Sequence, residues 1–413
     1  MKRLQAYKFL IEPNGQQQRA MRSIAGSCRY VWNKALARQI ENHKDGGKFI
    51  HHFAMCKWLP VWKKEPDTLW LKDTPSQLFQ VVLKDLVRAY KNFFDKRADF
   101  PAFKKKTGRS RFCFPQGCEL DQGNSRIKLP KLGWIRYRKS RAIEGVIKNI
   151  TVSCVCGKWY ASIQTEREVP QPVPVATTAI GIDVGITRFA TMSDGRFIAP
   201  LNSFKKHQQR LAHSQRRMSR KVKFSNNWKK EKAKVQKIHT CIANARKDFL
   251  HKTTTTISQN HALVCLEDLR ILNMSRSSKG NRKQHGTRVR QKAGLNRAIL
   301  DQGWGEFKRQ LAYKMAWNGA ILLAVPAHHT SQTCPCCGHI AQENRVKQAE
   351  FLCVDCGYGE NADVVAAINV LERGQRLLAC GEDGSGRGRK TPTKPASVKQ
   401  EPTEATMQEA SHA

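Results

Sequence analysis

The sequence predicts an α+β protein with more than one domain, and three observations lead to this fold class. The chain has 413 residues, of which 40% are apolar, enough for two or three domains with real cores. The spacing of apolar residues changes from helical to alternating near residue 120, and a Pro-rich linker near residue 175 marks the main boundary. Two Cys-x2-Cys pairs near the C-terminus indicate a small metal-bound unit.

The first half is predicted to hold a helical region between strands. Residues 5–11 predict a strand, and "PNG" at 13–15 predicts a turn. Apolar residues then follow helical spacing, and a later helix opens at "DTPSQ" with Thr74 as its N-cap. Residues 14 to about 100 are therefore predicted to be helical. From about 120 to 170 the alternation predicts strands joined by Gly-containing turns.

The second half is predicted to alternate strands and helices. The apolar runs in "AIGIDVGI", "HALVCLEDL" and "ILLAVPA" predict strands. Residues 203–252 predict helix, and residues 275–297, which are basic and rich in Ser and Gly, predict a mobile loop. A last helix is predicted from Asp363 to about Arg373. Beyond residue 380 the composition is typical of a disordered tail.

The charge predicts a polyanionic partner. Lys and Arg number 73 against 33 Asp and Glu, a formal net charge of +40. Phosphates neutralise such a surplus with release of counterions, so nucleic acid is the expected partner. An acidic membrane is the rival, but no lipidation motif or basic amphipathic anchor supports it. The chain lacks a signal-peptide pattern and any run of eighteen apolar residues, so a cytoplasmic protein is expected.

The strongest motif is a candidate zinc site. Cys334-x2-Cys337 and Cys353-x2-Cys356 have the spacing of a four-thiolate zinc ribbon. Gly338 and Gly357 follow the second cysteine of each pair, where a tight turn needs positive φ. Cys336 is a spare thiol that competes with Cys337 only in distorted geometry. A site closed by four cysteines has no open position, so the zinc is expected to be structural.

Three carboxylates form a second motif. Asp183 lies within an apolar strand, Glu267 ends another, and Asp363 opens the last helix. Each alone is equally well a turn residue, a strand-end acid or a helix cap. Together they form the pattern of RNase H-type nucleases, in which three acids hold two Mg²⁺ ions about 4 Å apart for phosphodiester hydrolysis. Asp268 is the alternative to Glu267; Glu267 is preferred because it directly extends the apolar run.

These motifs, with "GLNRAILDQGWGEFKRQLAYKMAW", "TSQTCPCCG" and "YKFLIEPNGQQQRAMRSIAGSCRYVWNKAL", resemble TnpB, a family encoded by bacterial insertion sequences and related to the type V CRISPR effectors. The resemblance covers about residues 1–375. It implies an RNA-guided DNA endonuclease, with a guide RNA from the element's end and a double-stranded DNA target beside a short flanking motif. It also implies the catalytic acids Asp183, Glu267 and Asp363, the four zinc cysteines, and a nucleoid-associated enzyme.

The resemblance further implies a bilobed architecture. One lobe has a helical recognition domain (14–120) inserted into a small β-barrel, the wedge domain (1–13 and 121–175). The other is an RNase H-like RuvC α/β domain (176–330) with an inserted zinc ribbon (331–360) and a last RuvC helix (361–380). Residues 381–413 form the tail.

Several residues are candidates for nucleic-acid contacts. The segment "FPAFKKKTGRSRF" offers basic side chains for phosphates and Phe103 or Phe112 for stacking. Ser76, Gln77 and Gln80 lie at a helix start and have groups that can contact bases. Arg345, in "ENR", is a candidate for the scissile phosphate. A solvated basic loop and ordinary surface roles stay open as alternatives. The basic candidates are Lys104, Lys105, Lys106, Arg109 and Arg111.

Two other functions stay open. Transposases that transfer strands themselves commonly use two Asp and a terminal Glu, whereas the last acid here is Asp363. A non-catalytic zinc-ribbon DNA-binding regulator explains the charge and the cysteines, but leaves Asp183 in an apolar strand without a purpose.

Overall fold

The computed structural model describes residues 1–106, 110–281, 284–345 and 347–380. Over these ranges the chain is a multidomain α+β protein with a seven-stranded, a five-stranded and a two-stranded sheet. The predicted tail, 381–413, lies outside the described residues, as does Arg109. None of the described helices combines the length and the apolar character that a membrane crossing needs.

The seven-stranded sheet is antiparallel and contains the N-terminus. Its strands are β1 (Lys2–Glu12), β2 (Arg111–Phe114), β3 (Glu119–Asp121), β4 (Arg126–Leu129), β5 (Gly133–Tyr137), β6 (Val146–Val155) and β7 (Lys158–Glu168). Their order is β2-β6-β7-β1-β5-β4-β3. Alternate residues of β7 are buried, including Trp159, Ala161 and Ile163. The predicted period of two is confirmed here, and closure into a barrel stays a prediction.

A helical segment is inserted between β1 and β2. It comprises α1 (Gly15–Lys44), α2 (His52–Cys56), α3 (Trp58–Trp62), a 3-10 helix (Pro66–Asp73) and α4 (Ser76–Phe94). Asn14 caps α1: its side chain accepts from Gln17 N at 2.8 Å, and the Gln17 side chain accepts from Asn14 N at 3.0 Å. Thr74 does not cap α4, because that helix starts at Ser76 after Pro75. The helices share one apolar core with the sheet.

The five-stranded sheet begins after the linker predicted near residue 175. Its strands are β8 (Ala179–Asp183), β9 (Ala190–Met192), β10 (Phe197–Ile198), β11 (Leu263–Glu267) and β12 (Ile321–Val325). Their order is β10-β9-β8-β11-β12; β11 is parallel to both β8 and β12, while β9 and β10 continue as antiparallel hairpins. The three parallel strands therefore end at one edge of the sheet.

Helices cover both faces of this sheet. The helices of this half of the chain are α5 (Ser203–Ser219), α6 (Asn226–Asn260), α7 (Ile271–Met274), α8 (Val289–Gln302), α9 (Trp304–Trp317) and α10 (Ala362–Ala379). On one face, Val264 and Leu266 of β11 share a core with α6 and α9. On the other, Cys265 packs with Val370 of α10. The loop predicted over residues 275–297 is shorter than expected, because α8 starts at Val289.

Helix α10 lies unusually close to the sheet, and two glycines permit it. A Cβ at Gly181 of β8 would lie 2.1 Å from the carbonyl oxygen of Ala367. A Cβ at Gly374 of α10 would lie 2.1 Å from Sγ of Cys265. Any side chain at either position would push the helix outward. The start of α10 is therefore fixed relative to the ends of β8 and β11.

The two-stranded sheet belongs to the segment between β12 and α10. Its strands, β13 (Glu350–Leu352) and β14 (Gly359–Asn361), are antiparallel, and β14 leads directly into α10. Phe351, Cys334 and Cys353 pack with Ala362 and Val365 of α10. The cysteine-bearing segment and the first turn of α10 thus share one small core.

Candidate active site and metal centre

Asp183 and Glu267 end two neighbouring parallel strands. The register pairs Ile182 of β8 with Leu266 of β11, so the two acids follow the last paired positions at the same edge. Ile182 and Leu266 face the core shared with α6 and α9. Because side chains alternate along a strand, both acids point to the opposite face, which α10 covers.

Asp363 joins them from the first turn of α10. The side chain of Asn361 caps this helix by accepting from the backbone N of Asp363 at 3.1 Å. Arg188 donates through Nη1 to the same Asn361 Oδ1 at 3.2 Å. The cap is thereby tied to the loop that follows Asp183. The structure thus brings the three predicted acids to one end of one sheet.

The electrostatics of Asp183 reflect this crowding. The pKa of Asp183 is raised to about 7. Burial is the main cause, and the negative charges of Glu267 and Asp363 add to it. A hydrogen bond from Val184 N and the charge of Arg345 act in the opposite direction. Burial first, and then the neighbouring negative charges, disfavour an ionised Asp183 when no cation is bound. Carboxylate oxygens are the ligands that Mg²⁺ prefers, so the chemistry of these three side chains suits that ion.

Glu267, not Asp268, points into the site. Oε1 of Glu267 accepts a hydrogen bond from Thr330 Oγ1 at 2.6 Å. Burial raises the pKa of Glu267, against the opposing effects of the Thr330 bond and the Arg373 charge. Asp268 is exposed and forms an ion pair with Lys308 of α9 at 2.6 Å. The alternation of β11 accounts for this difference, since consecutive residues point to opposite faces.

Thr330 is itself held by α10. Asn369, buried in the middle of that helix, donates through Nδ2 to the carbonyl oxygens of Thr330 and Thr333, both at 2.7 Å. Arg373, one turn later, donates to the carbonyl oxygens of Pro326 and His328. Helix α10 therefore fixes the segment that leads from β12 to the cysteines. Thr330 and Asn369 are not among the residues predicted from the sequence, although an Asn within the apolar stripe "DVVAAINVL" is a signal for a buried polar contact.

We expect Thr330→Val to reduce catalysis without unfolding the protein. Loss of the hydrogen bond frees the Glu267 side chain and raises its pKa, since the bond stabilises the charged form. The cleavage rate should fall about 10- to 100-fold, and the acid limb of the rate profile should move to higher pH. Thr330→Ser should restore both. Equal rates and pH profiles in wild type and Thr330→Val would contradict this role.

We expect Asp183→Asn to stabilise the metal-free protein at alkaline pH. The folded-state pKa, about 7, lies above the ordinary value of 3.8. Protonated Asp183 therefore supports folding below about pH 4, and this contribution is lost as the pH rises through about 7. For wild type, the free energy of unfolding should fall by on the order of 4 kcal/mol between these two pH values because of Asp183 alone. The variant would not contribute such a change, because Asn does not titrate. Thermal unfolding without added divalent cations should show a Tm advantage for the variant near pH 8 that shrinks toward pH 4. A Tm difference that does not change with pH, or an equal pH-dependent difference for Asp268→Asn, would contradict this prediction.

The four predicted cysteines converge on one point. Sγ of Cys334 lies 3.6 Å from that of Cys356, and Sγ of Cys337 lies 3.6 Å from that of Cys353. All four sulfurs lie within 4.8 Å of one another. Tetrahedral zinc with bonds of about 2.3 Å sets neighbouring sulfurs about 3.8 Å apart, so the cluster fits that ion. Cys336 is exposed and outside the cluster.

The turns around the cluster have the glycine conformations that the sequence predicts. Gly338 and Gly357 have φ of +78° and +74°, in the region that glycine enters without strain. Buried Asn344 donates to the carbonyl oxygens of Gln332 and His339 and accepts from Val354 N, linking the two cysteine pairs. Arg345 follows directly: it donates through Nη2 to the carbonyl oxygen of Gln348 at 2.7 Å, and its charge lowers the pKa of Asp183.

The residues of the basic segment that were predicted to contact nucleic acid differ in their exposure. Lys105 and Lys106 are exposed, as is Phe103, but Phe112 is buried and unsuited to stacking. Lys104 is exposed as well; its Nζ lies 3.5 Å from the centre of the Trp32 ring, and desolvation there lowers its pKa.

The candidates at the start of α4 also differ in their exposure. Ser76 is exposed, and its Oγ accepts from Lys63 Nζ at 2.6 Å. Gln77 is half-buried, whereas Gln80 and Arg111 are exposed. Base contacts by these residues stay a prediction.

Comparisons with known proteins give consistent results along the chain. A family model described as "Probable transposase" matches residues 162–278. Models described as "Helix-turn-helix domain" and "Cas12f1-like, TNB domain" match residues 1–48 and 304–370.

Two relatives match over nearly the full length. The "Putative RNA-guided DNA endonuclease InsQ" of Escherichia coli K12 is 57% identical over 405 residues, covering 98% of each chain. A "Putative RNA-guided DNA endonuclease" of Streptomyces pristinaespiralis is 31% identical over 407 residues, covering 97% of each.

A solved structure is also similar. The cryo-EM structure of a Cas12f1-sgRNA-target DNA complex aligns with a TM-score of 0.56 at 12% identity, covering 89% of this chain and 98% of that one. At this identity the likeness concerns the fold alone.

Proposed function

Because the chain belongs to the TnpB family, we propose that it is the RNA-guided DNA endonuclease of a bacterial insertion sequence. The observation that carries the proposal is the convergence of Asp183, Glu267 and Asp363 at one end of a mixed sheet. The relatives named as RNA-guided DNA endonucleases, which match along the whole chain, support the same activity.

The reaction is phosphodiester hydrolysis in a RuvC-like site. Asp183, Glu267 and Asp363 would hold two Mg²⁺ ions. When bound, Mg²⁺ supplies an activated water and charge neutralisation at the leaving oxygen. The chain orients the acids: the cap at Asn361 fixes Asp363, and Thr330 fixes Glu267. Arg345 would contact the scissile phosphate.

The zinc ribbon has a structural role in this proposal. Zinc bound by Cys334, Cys337, Cys353 and Cys356 would hold the segment that leads into α10. The shared core of Cys334 and Cys353 with Ala362 and Val365 supports this role. The ribbon would keep Asp363 aligned with the two strand-end acids.

The proposed architecture is bilobed. A wedge β-barrel (1–13 and 121–175) and a recognition domain (14–120) would form one lobe; the RuvC domain (176–330 and 361–380) and the ribbon (331–360) would form the other. The partners are a guide RNA from the element's end and a double-stranded DNA target with a short flanking motif. The net charge of +40 supports extensive phosphate contacts.

The nucleic acid bound by the protein tests the proposal. The chain would be purified from cells carrying its native locus, and the RNA that accompanies it would be sequenced. One discrete RNA mapping to the end of the element is expected. Heterogeneous nucleic acid, or none, would contradict RNA guidance and would leave a strand-transfer enzyme or a DNA-binding regulator to be tested.

A further inference from the structure

Helices α5 and α6 form a long hairpin with its own small core. Leu211 of α5 packs with Val235, Ile238 and Ile242 of α6. Between Arg217 of α5 and the buried Glu231 of α6 there is an ion pair at 3.3 Å. These contacts hold the two helices together up to the connecting loop, so the end of the hairpin is an ordered element.

The hairpin extends beyond the edge of the sheet at which the acids lie, from the face opposite to the one their side chains occupy. Helix α6 ends at Asn260, just before the amino end of β11, and Leu250 and Ile257 pack on the same core as β11. Helix α6 therefore runs antiparallel to β11, and its earlier residues extend past the edge where Glu267 lies. At 1.5 Å per residue, Asn226 is about 36 Å further along the helix than Leu250.

An aromatic tip closes the hairpin. Phe224 and Val222 are 59% and 80% exposed, although neither is polar. Phe224 also has φ of +70°, a conformation that bulky residues rarely adopt. Its ring centroid lies 5.4 Å from that of Trp228. Apart from this contact with Trp228, the Phe224 ring is largely in solvent, and a strained, exposed aromatic residue is typical of a binding site.

The surroundings of the tip are strongly basic. Residues 216–237 contain ten Lys or Arg and a single acid, Glu231, which is already paired. Lys223 lies 5.4 Å from the Phe224 ring, and Lys232 lies 4.9 Å from the Trp228 ring. An exposed ring flanked by phosphate-binding cations is the arrangement by which proteins stack unpaired bases.

We propose that Phe224 stacks on an unpaired base of the bound RNA while the surrounding lysines and arginines contact its backbone. RNA is favoured over DNA because the tip lies far from the acids. A DNA strand being cut needs to be unpaired near those acids, whereas a folded RNA presents unpaired loop bases elsewhere. This inference rests on the proposed function for the presence of an RNA.

Two variants separate stacking from folding. Phe224→Gly accommodates the positive φ without strain and removes the ring, whereas Phe224→Tyr keeps an aromatic face. Both would be made in an Asp183→Asn background and assayed for binding of the RNA that co-purifies with the protein. We expect an unchanged or higher Tm for Phe224→Gly with RNA affinity about 5- to 100-fold weaker. Phe224→Tyr should bind normally.

Ultraviolet cross-linking and mass spectrometry of the purified complex locate the contact. A ribonucleotide attached at Phe224 is the expected result. A deoxyribonucleotide there, in complexes that also hold target DNA, would overturn the assignment to RNA. Full RNA affinity in Phe224→Gly, with cross-links only elsewhere, would overturn the inference and leave the proposed function standing. If no discrete RNA co-purifies, the proposed function fails and the inference with it.

Discussion

Asp183→Asn is expected to reduce target cleavage by at least about 10³-fold, because a lost metal ligand removes about 4 kcal/mol of transition-state stabilisation. The side chain keeps its shape, so the RNA and the DNA target should still bind. Glu267→Gln and Asp363→Asn should behave alike, since the proposed site uses all three acids. Rates would be measured on a matched target with added Mg²⁺, and binding by a mobility-shift assay.

Asp268→Asn is the matched control for this prediction. Asp268 follows Glu267 directly but points to the other face, where it pairs with Lys308. Its loss should change the rate only a few-fold, because exposed ion pairs contribute little. Near-normal cleavage by Asp183→Asn, or loss of cleavage by Asp268→Asn alone, would show that the site is wrongly assigned.

Cys353→Ser is expected to release zinc and to abolish most cleavage. Cys353 is buried and packs with Ala362 and Val365, so loss of the metal should loosen the ribbon and the first turn of α10 together. Displacement of Asp363 by about 1 Å is enough for a loss of about 100-fold in rate. Zinc content, Tm and cleavage rate would be measured on the same preparation.

Cys336→Ser provides the control here. Cys336 lies between two cluster cysteines in the sequence but is exposed and outside the cluster. This variant should keep its zinc, its Tm and its rate. If Cys353→Ser lost zinc and still cleaved DNA at the wild-type rate, the bracing role of the ribbon would be wrong.

The sequence was most informative where a local pattern determines the structure. The apolar run before Glu267 predicts a strand that ends at this acid, as the structure has it. Asp183 was expected within its strand and is instead the last residue of β8. The spacing of the cysteine pairs predicts the cluster, since each pair needs only a short turn. Asp363 was expected at a helix start, and α10 begins one residue earlier, at Ala362.

Long-range contacts could not be predicted in this way. Thr330 reaches Glu267 across 63 residues, and Asn369 reaches back 39 residues to Thr330. The spacing of residues in the sequence does not indicate either contact, because each depends on how closely α10 approaches the sheet. That approach rests on Gly181 and Gly374, which sequence alone does not pair.

Predictions in the strongly basic segments were less accurate. Helix α8 starts inside a stretch predicted to be a loop, preceded by Arg288 in a left-handed conformation without a side-chain cap. Residues 203–252, expected to be helical, form a hairpin of two helices, α5 and α6. Phe112 was one of two candidates, with Phe103, for stacking on bases, yet it lies in the four-residue strand β2 with its ring in the core.

Cleavage directed by a chosen RNA tests the central claim most directly. The purified protein would be loaded with its RNA carrying a rewritten guide segment and given a plasmid with the matching target beside the native flanking sequence. We predict a double-strand break at the new target that requires Mg²⁺ and is absent with Asp183→Asn. No break, or breaks whose positions ignore the guide, would contradict an RNA-guided nuclease.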